Sequence, residues 1–244
     1  MAIYAISDLH LALGCDKPMD IFGGRWANYM EKIKSNWQQV VNQEDYVIIP
    51  GDVSWATYIE NAYEDFYFIE QLPGKKIISK GNHDYWWTTA SKLSKYLEQN
   101  NFKTISFLHN NAFLLEDVVI CGTRGWKCPG DDDFKRDDDK IYKREVERLK
   151  LSLRSAEQLA YTKKNKESVE VAAKKIVFIH YPPITQKSPE TGFLEVLRDF
   201  NVKQCYFGHL HGEGIKSALE GNMFGIEFKL ISADYLDFMP IRIK

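Results

Sequence analysis

The chain has 244 residues, 44% of them hydrophobic, enough to bury a sizeable core. Lys and Arg number 32 against 34 Asp and Glu, a formal net charge of -2, so no global basic field argues for nucleic acid or a membrane surface as a partner. No apolar run approaches the ~20 residues a membrane span needs. The start, MAIYAISDLH, lacks the charged and apolar regions of a secretory signal. Cys15, Cys121, Cys128 and Cys205 are widely spaced and form no C-x-x-C pair. Both features fit reduced thiols in a cytoplasm.

In chain order, five short apolar runs read as strands buried on both faces: IYAI (3 to 6), YVIIP (46 to 50), KIIS (76 to 79), KIVFI (175 to 179) and CYF (205 to 207). The residues just past each run carry the information: SDLH, GDVS, KGNHD, HYPP and GHLH. Every run ends by delivering a His, Asp or Asn, which ordinary core strands have no reason to do. Helical patterns lie between them, at Asn28 to Val41, Ala56 to Gln71, Thr88 to Gln99 and Pro189 to Phe200. Strands alternating with helices imply a largely parallel sheet with ligands gathered beyond the strands' carboxyl ends. The five exits are therefore expected to converge, and they hold five of the six histidines.

KTISFLH, AFLLEDVVICG, FGIEFKLIS and MPIRIK read as further strands, antiparallel additions or a second sheet. The acidic stretch 131 to 140, DDDFKRDDDK, precedes a helix with Val146, Leu149, Leu153, Ala156 and Leu159 on one apolar stripe. It reads as a solvated loop whose last aspartates suit the positive end of the helix dipole, with a cation-binding loop as the alternative.

Taken together, the exits are Asp8-x-His10, Gly51-Asp52, Gly81-Asn82-His83-Asp84, His180 and Gly208-His209-x-His211. The set resembles the calcineurin-like metallophosphoesterases, a superfamily of dinuclear metallophosphatases, with all five blocks in order from 8 to 211. The resemblance implies an α/β fold, a two-sheet sandwich of mixed strands flanked by helices. It also implies a single metallophosphoesterase domain over 1–244 with a charged helical insertion around 127–170. Two divalent cations about 3.5–4 Å apart can clamp the attacking and leaving oxygens of an in-line displacement at phosphorus. The family pattern assigns Asp8, His10, Asp52 and His211 to one metal and Asp52, Asn82, His180 and His209 to the other, with Asp52 as bridge. The glycines at 51, 81 and 208 are expected to let the backbone turn close to the ions. With imidazole and carboxylate donors and no thiolate, the sites suit manganese, iron, zinc, cobalt or nickel, and the donors do not choose among them; manganese is the expected ion.

By the same resemblance, His83 is the proton donor or electrostatic stabiliser at the leaving oxygen, with Asp84 either holding its ring or capping the helix that starts there. Arg124, in GTRGW, is a candidate phosphate clamp. Trp55, Tyr85, Trp86, Trp87 and Trp126 flank the motifs as packing or as an aromatic wall. Many relatives carry G-D-x-x-D-R in the second block, where this chain has Trp55 and Ala56. Protein serine/threonine phosphatases carry Glu and Arg where Asp84 and Lys80 stand, and purple acid phosphatases a metal-binding Tyr at the place of Trp55. The stretch after His211 is short for the cap of the repair nucleases. The expected activity is a metal-dependent phosphohydrolase, cleaving small or medium phosphate mono- or diesters by attack of a metal-bridging hydroxide. The alternatives are a cyclic-nucleotide or other nucleotide phosphodiesterase, a non-catalytic metal-binding scaffold of the same fold, and a mononuclear amidohydrolase, which would place its His-x-His on an early strand.

Overall fold

The computed structural model describes residues 1–17, 19–167 and 173–244. The end of the expected helical insertion, 168–170, lies outside them. The chain divides into two compact units, one formed by Met1–Phe107 with Ile231–Lys244 and the other by Leu108–Leu230.

The first unit holds a five-stranded mixed sheet. Its strands are β1 (Ile3–Ala5), β2 (Tyr46–Pro50), β3 (Lys75–Ser79), β4 (Ile105–Leu108) and the last strand of the chain, β11 (Ile241–Arg242), in the order β11-β1-β2-β3-β4. β1, β2 and β3 run parallel, with Ile48 paired to Ala5 and to Ile77, and β11 is antiparallel to β1. Parallel register aligns the strand ends, so the segments after β1, β2 and β3 leave on the same side. Three helices, α1 (Tyr29–Val40), α2 (Tyr63–Gln71) and α3 (Ala90–Gln99), supply Ile33, Trp37, Phe66, Ile69 and Leu93 to the core that buries Val47, Ile49 and Ile78. α3 starts one residue after the Thr89 hydroxyl, which accepts the Lys92 N–H as a helix cap.

The second unit holds a six-stranded mixed sheet in the order β5-β6-β7-β8-β10-β9. Its strands are β5 (Phe113–Leu115), β6 (Val118–Thr123), β7 (Lys174–Ile179), β8 (Gln204–Phe207), β9 (Gly221–Met223) and β10 (Ile226–Leu230). β6, β7, β8 and β10 are parallel, with β5 and β9 antiparallel at the edges. The long helix α4 (Arg136–Glu167) and α5 (Gly192–Asp199) bury Leu149, Leu153, Phe193 and Leu197 with Cys121, Val177, Cys205 and Phe228. Among the described residues no helix is long and apolar enough to cross a membrane.

The five exits are thus shared between two sheets, three from the first and two from the second, where alternation alone had suggested one largely parallel sheet. The acidic stretch also divides. Asp137, Asp138 and Asp139 lie in the first turn of α4, facing its positive end as expected. Asp132 and Asp133 are exposed, as expected of a solvated loop. Thr185 donates to Asp131 at 2.6 Å and Lys187 pairs with Asp132, which ties the loop to the segment after β7, while Lys127 pairs with Asp133 at 2.6 Å within the loop itself.

Candidate metal centre

In the first unit the loop after β1 carries Asp8 and His10, and the loop after β2 carries Asp52. All three side chains are buried. His10 Nε2 lies 3.9 Å from Asp8 Oδ1 and 3.8 Å from Asp52 Oδ2. These gaps are too long for hydrogen bonds. They are shorter than two metal–ligand bonds of about 2.0–2.2 Å laid end to end, so the three atoms suit ligands of a common ion. The donor set of one imidazole and two carboxylates fits a divalent transition metal.

Backbone strain marks the same residues. Asp8 (φ 61°), His10 (φ 46°) and Asp52 (φ 51°) all take left-handed conformations. Such conformations cost of order 1–3 kcal/mol each in a residue with a side chain and gather at functional sites. Surrounding bonds hold them in place: the His10 N–H donates to Asp52 O at 2.9 Å, Tyr29 donates its hydroxyl to His10 O at 3.0 Å, and Ser7 donates its hydroxyl to Asp8 Oδ2.

The loop after β3 brings Asn82, His83 and Asp84. The His83 N–H donates to Asp52 Oδ1 at 2.8 Å, while Oδ2 of the same carboxylate faces His10. Gly81 has to be glycine, because a Cβ there would collide with Oδ1 and the backbone nitrogen of Asp52. Gly51 turns with φ 99°. At the β8 exit, however, the left-handed turn falls on His209 (φ 71°) rather than on Gly208.

Asp84 is 0% exposed, and its carboxylate accepts five hydrogen bonds. The donors are the N–H groups of Gly81 (2.7 Å), Asp52 (2.9 Å), Val53 (2.9 Å) and Ser54 (3.3 Å), and Trp86 Nε1 (3.0 Å). Its carboxylate therefore clamps the β2 and β3 exits together, a positioning task separate from the two expected of it, His83 partner and helix cap.

Trp55 joins two of the expected residues. Its ring stacks on His10 at 5.0 Å and lies 4.4 Å from the ring of His83, and the two imidazoles are 5.7 Å apart. Trp86 is packing, edge-on to Phe66 at 5.0 Å, and Trp87 packs on Phe107 at 5.3 Å. Tyr85 is exposed.

In the second unit His180 follows β7 and is fully buried, and His209 and His211 follow β8, both half-buried. The rings of His180 and His209 meet edge-on at 5.3 Å, with a nitrogen of each within 4.8 Å of the other. The Gly208 N–H donates to His180 O at 3.0 Å, which sets the two exits side by side. Tyr181, unremarked in the sequence although it follows His180 directly, lies with its ring 4.0 Å from that of His209. Arg124 follows β6. It is paired with the buried Glu145 of α4 at 3.1 Å and stacks on Trp126 at 4.4 Å, so the expected phosphate clamp is engaged inside the unit. Burial lowers the pKa of Arg124 despite the Glu145 carboxylate beside it.

Comparison with known proteins adds the lineage. A family model described as calcineurin-like phosphoesterase matches residues 1–213. Among solved structures, the chain is similar to a protein of unknown function, AQ665, from Aquifex aeolicus (17% identity, TM-score 0.50). It is also similar to the phosphopantetheinyl hydrolase PptH from Mycobacterium tuberculosis (14% identity, TM-score 0.52). Each comparison covers 99% of this chain and 95% of the other. At such identities the likeness is one of fold. No curated protein matches the chain.

Proposed function

Because the chain belongs to the calcineurin-like phosphoesterase family, we propose that it is a metal-dependent phosphohydrolase of phosphate mono- or diesters, with Asp8, His10, Asp52, Asn82, His180, His209 and His211 as ligands of two divalent ions. The observation that carries this reading is the meeting of three buried residues on left-handed backbone, with His10 Nε2 within 4 Å of a carboxylate oxygen of both Asp8 and Asp52. Manganese is the leading ion, and the cytoplasm the expected compartment.

When bound, the ions supply Lewis acidity at the phosphoryl oxygens and an activated water. The rest falls to the protein. Asp52 presents Oδ2 towards His10 while the His83 N–H holds Oδ1, so the carboxylate keeps one orientation. His10 keeps Nδ1 buried and directs Nε2 at the carboxylates. His83 likewise buries Nδ1. Its Nε2 is therefore the atom that delivers a proton to the leaving oxygen, and Trp55 against its ring fixes where that nitrogen points.

The test is turnover on a panel of monoesters, cyclic nucleotides, dinucleotides and oligonucleotides, with each candidate metal added to stripped protein. Metal-dependent hydrolysis of at least one class is expected. Its absence across the panel, with metal bound, would leave the chain as a binding scaffold.

A further inference from the structure

The second unit contains an open cleft of about 390 Å³ beside His209, within the size range of small-molecule sites. Its wall is a succession of rings: Tyr181 lies 4.0 Å from His209, and Trp126 lies 5.2 Å from Tyr181. Trp126 is only half-buried, and it is held from behind. Its Nε1 donates to Asp138 Oδ1 at 2.8 Å, and Arg124 stacks on its ring. Arg124 is itself fixed by Glu145, which is 0% exposed and also accepts from Thr123 Oγ1 at 2.8 Å and Arg148 Nη1 at 2.7 Å. An ion-pair network centred on a buried carboxylate thus holds Trp126 in place where it lines the cleft.

The polar side of the cleft favours a neutral occupant. Lys127 and Lys187 are neutralised by Asp133 and Asp132, and Asp131 leaves the carboxylates in excess. An anion would be repelled, and a flat uncharged ring would stack.

We propose that this cleft receives the alcohol portion of the ester, and that the alcohol it takes carries a planar, uncharged ring, an aryl group or a nucleobase. The assignment to a leaving group rests on the phosphohydrolase reading of His209. Binding of the ring itself does not.

Two measurements separate these layers. In the first, 2-naphthol and its saturated, non-planar counterpart decahydro-2-naphthol are titrated into the metal-loaded protein by ligand-observed NMR. Wild type is expected to bind 2-naphthol about tenfold more tightly than the saturated alcohol. Trp126→Ala should remove that preference and Trp126→Phe keep most of it. Equal affinity for the two alcohols in wild type would overturn the proposal even if the variants failed to fold, and so would a preference untouched by Trp126→Ala. In the second, kcat/KM is compared for 2-naphthyl phosphate and hexafluoroisopropyl phosphate, esters of similarly acidic alcohols. Their ratio should favour the ring in wild type and fall about tenfold in Trp126→Ala. Ring binding that depends on Trp126 without hydrolysis of either ester would uphold the cleft as a ring site and overturn its assignment to the leaving group of a monoester. Hydrolysis with no ring preference would uphold the phosphohydrolase reading and overturn the cleft as a ring site.

Discussion

The backbone N–H of Asp52 donates to the carboxylate of Asp84 across 2.9 Å, joining residues that lie 32 positions apart. Since Asp52 is the proposed metal bridge, the clamp fixes the bridge's backbone before any ion arrives.

Asp84→Asn should therefore act on stability as well as on activity. The amide has the shape of the carboxylate but turns a donor towards N–H groups, leaving one or two of them buried without an acceptor. The cost is of order 2–5 kcal/mol, a fall of about 5–15 °C in Tm for a chain of this size. Thermal denaturation of the metal-free protein measures it. An unchanged Tm would mean that Asp84 acts only through His83.

His83→Ala should lower turnover while the metals stay bound. General acid catalysis is worth about 10²–10⁴-fold, so alkyl esters should lose that much and nitrophenyl esters, whose leaving oxygen needs little protonation, much less. Rates on both esters, with elemental analysis of the variant, test this. Loss of a metal, or equal losses on both esters, would contradict proton donation.

Much of the centre is legible in the sequence because strand exits are local. β2 falls on YVIIP as read, and α3 and α5 begin behind Thr89 and Thr191, whose hydroxyls cap them. The donors Asp8, His10, Asp52, His180 and His209 all stand at strand exits. What escaped depends on contacts between distant segments. Periodicity cannot say which strands share a sheet, so the division of the exits between two sheets was invisible. The five bonds to Asp84 exist because β2 and β3 are neighbours, and Glu145 reads as one more charge on a helix until β6 places Arg124 and Thr123 against it. β9, Gly-Asn-Met, has no β-propensity to betray it.

Asp52→Asn should deplete bound metal more than Asn82→Ala does. The amide keeps an oxygen for the His83 N–H, so the fold survives, but the negative charge facing His10 is gone. Metal content of the two purified variants gives the comparison. Equal retention would mean that Asp52 is not the bridge.

Lys76 offers a pH test far from the chemistry. It is 0% exposed, with Nζ donating to Leu72 O and to Thr104 Oγ1 at 3.1 Å. Burial pushes its pKa down to about 8, against about 10.4 in an unfolded chain. Between those values the unfolded chain holds a proton that the folded one has released. This group's contribution to stability therefore rises with pH across that window, by up to about 1.4 kcal/mol per unit. Denaturant melts from pH 8 to 10 should show Lys76→Met with a flatter, or more steeply falling, stability profile than wild type. Parallel profiles would place the folded Lys76 near its ordinary pKa.

Phosphoester hydrolysis should depend on about two divalent ions per chain. The decisive experiment titrates manganese into rigorously stripped protein, with hydrolysis and metal content followed on the same samples. Activity should be absent at zero metal and should saturate near two equivalents. Full activity in the stripped protein, or no activity with both ions bound, would contradict the account.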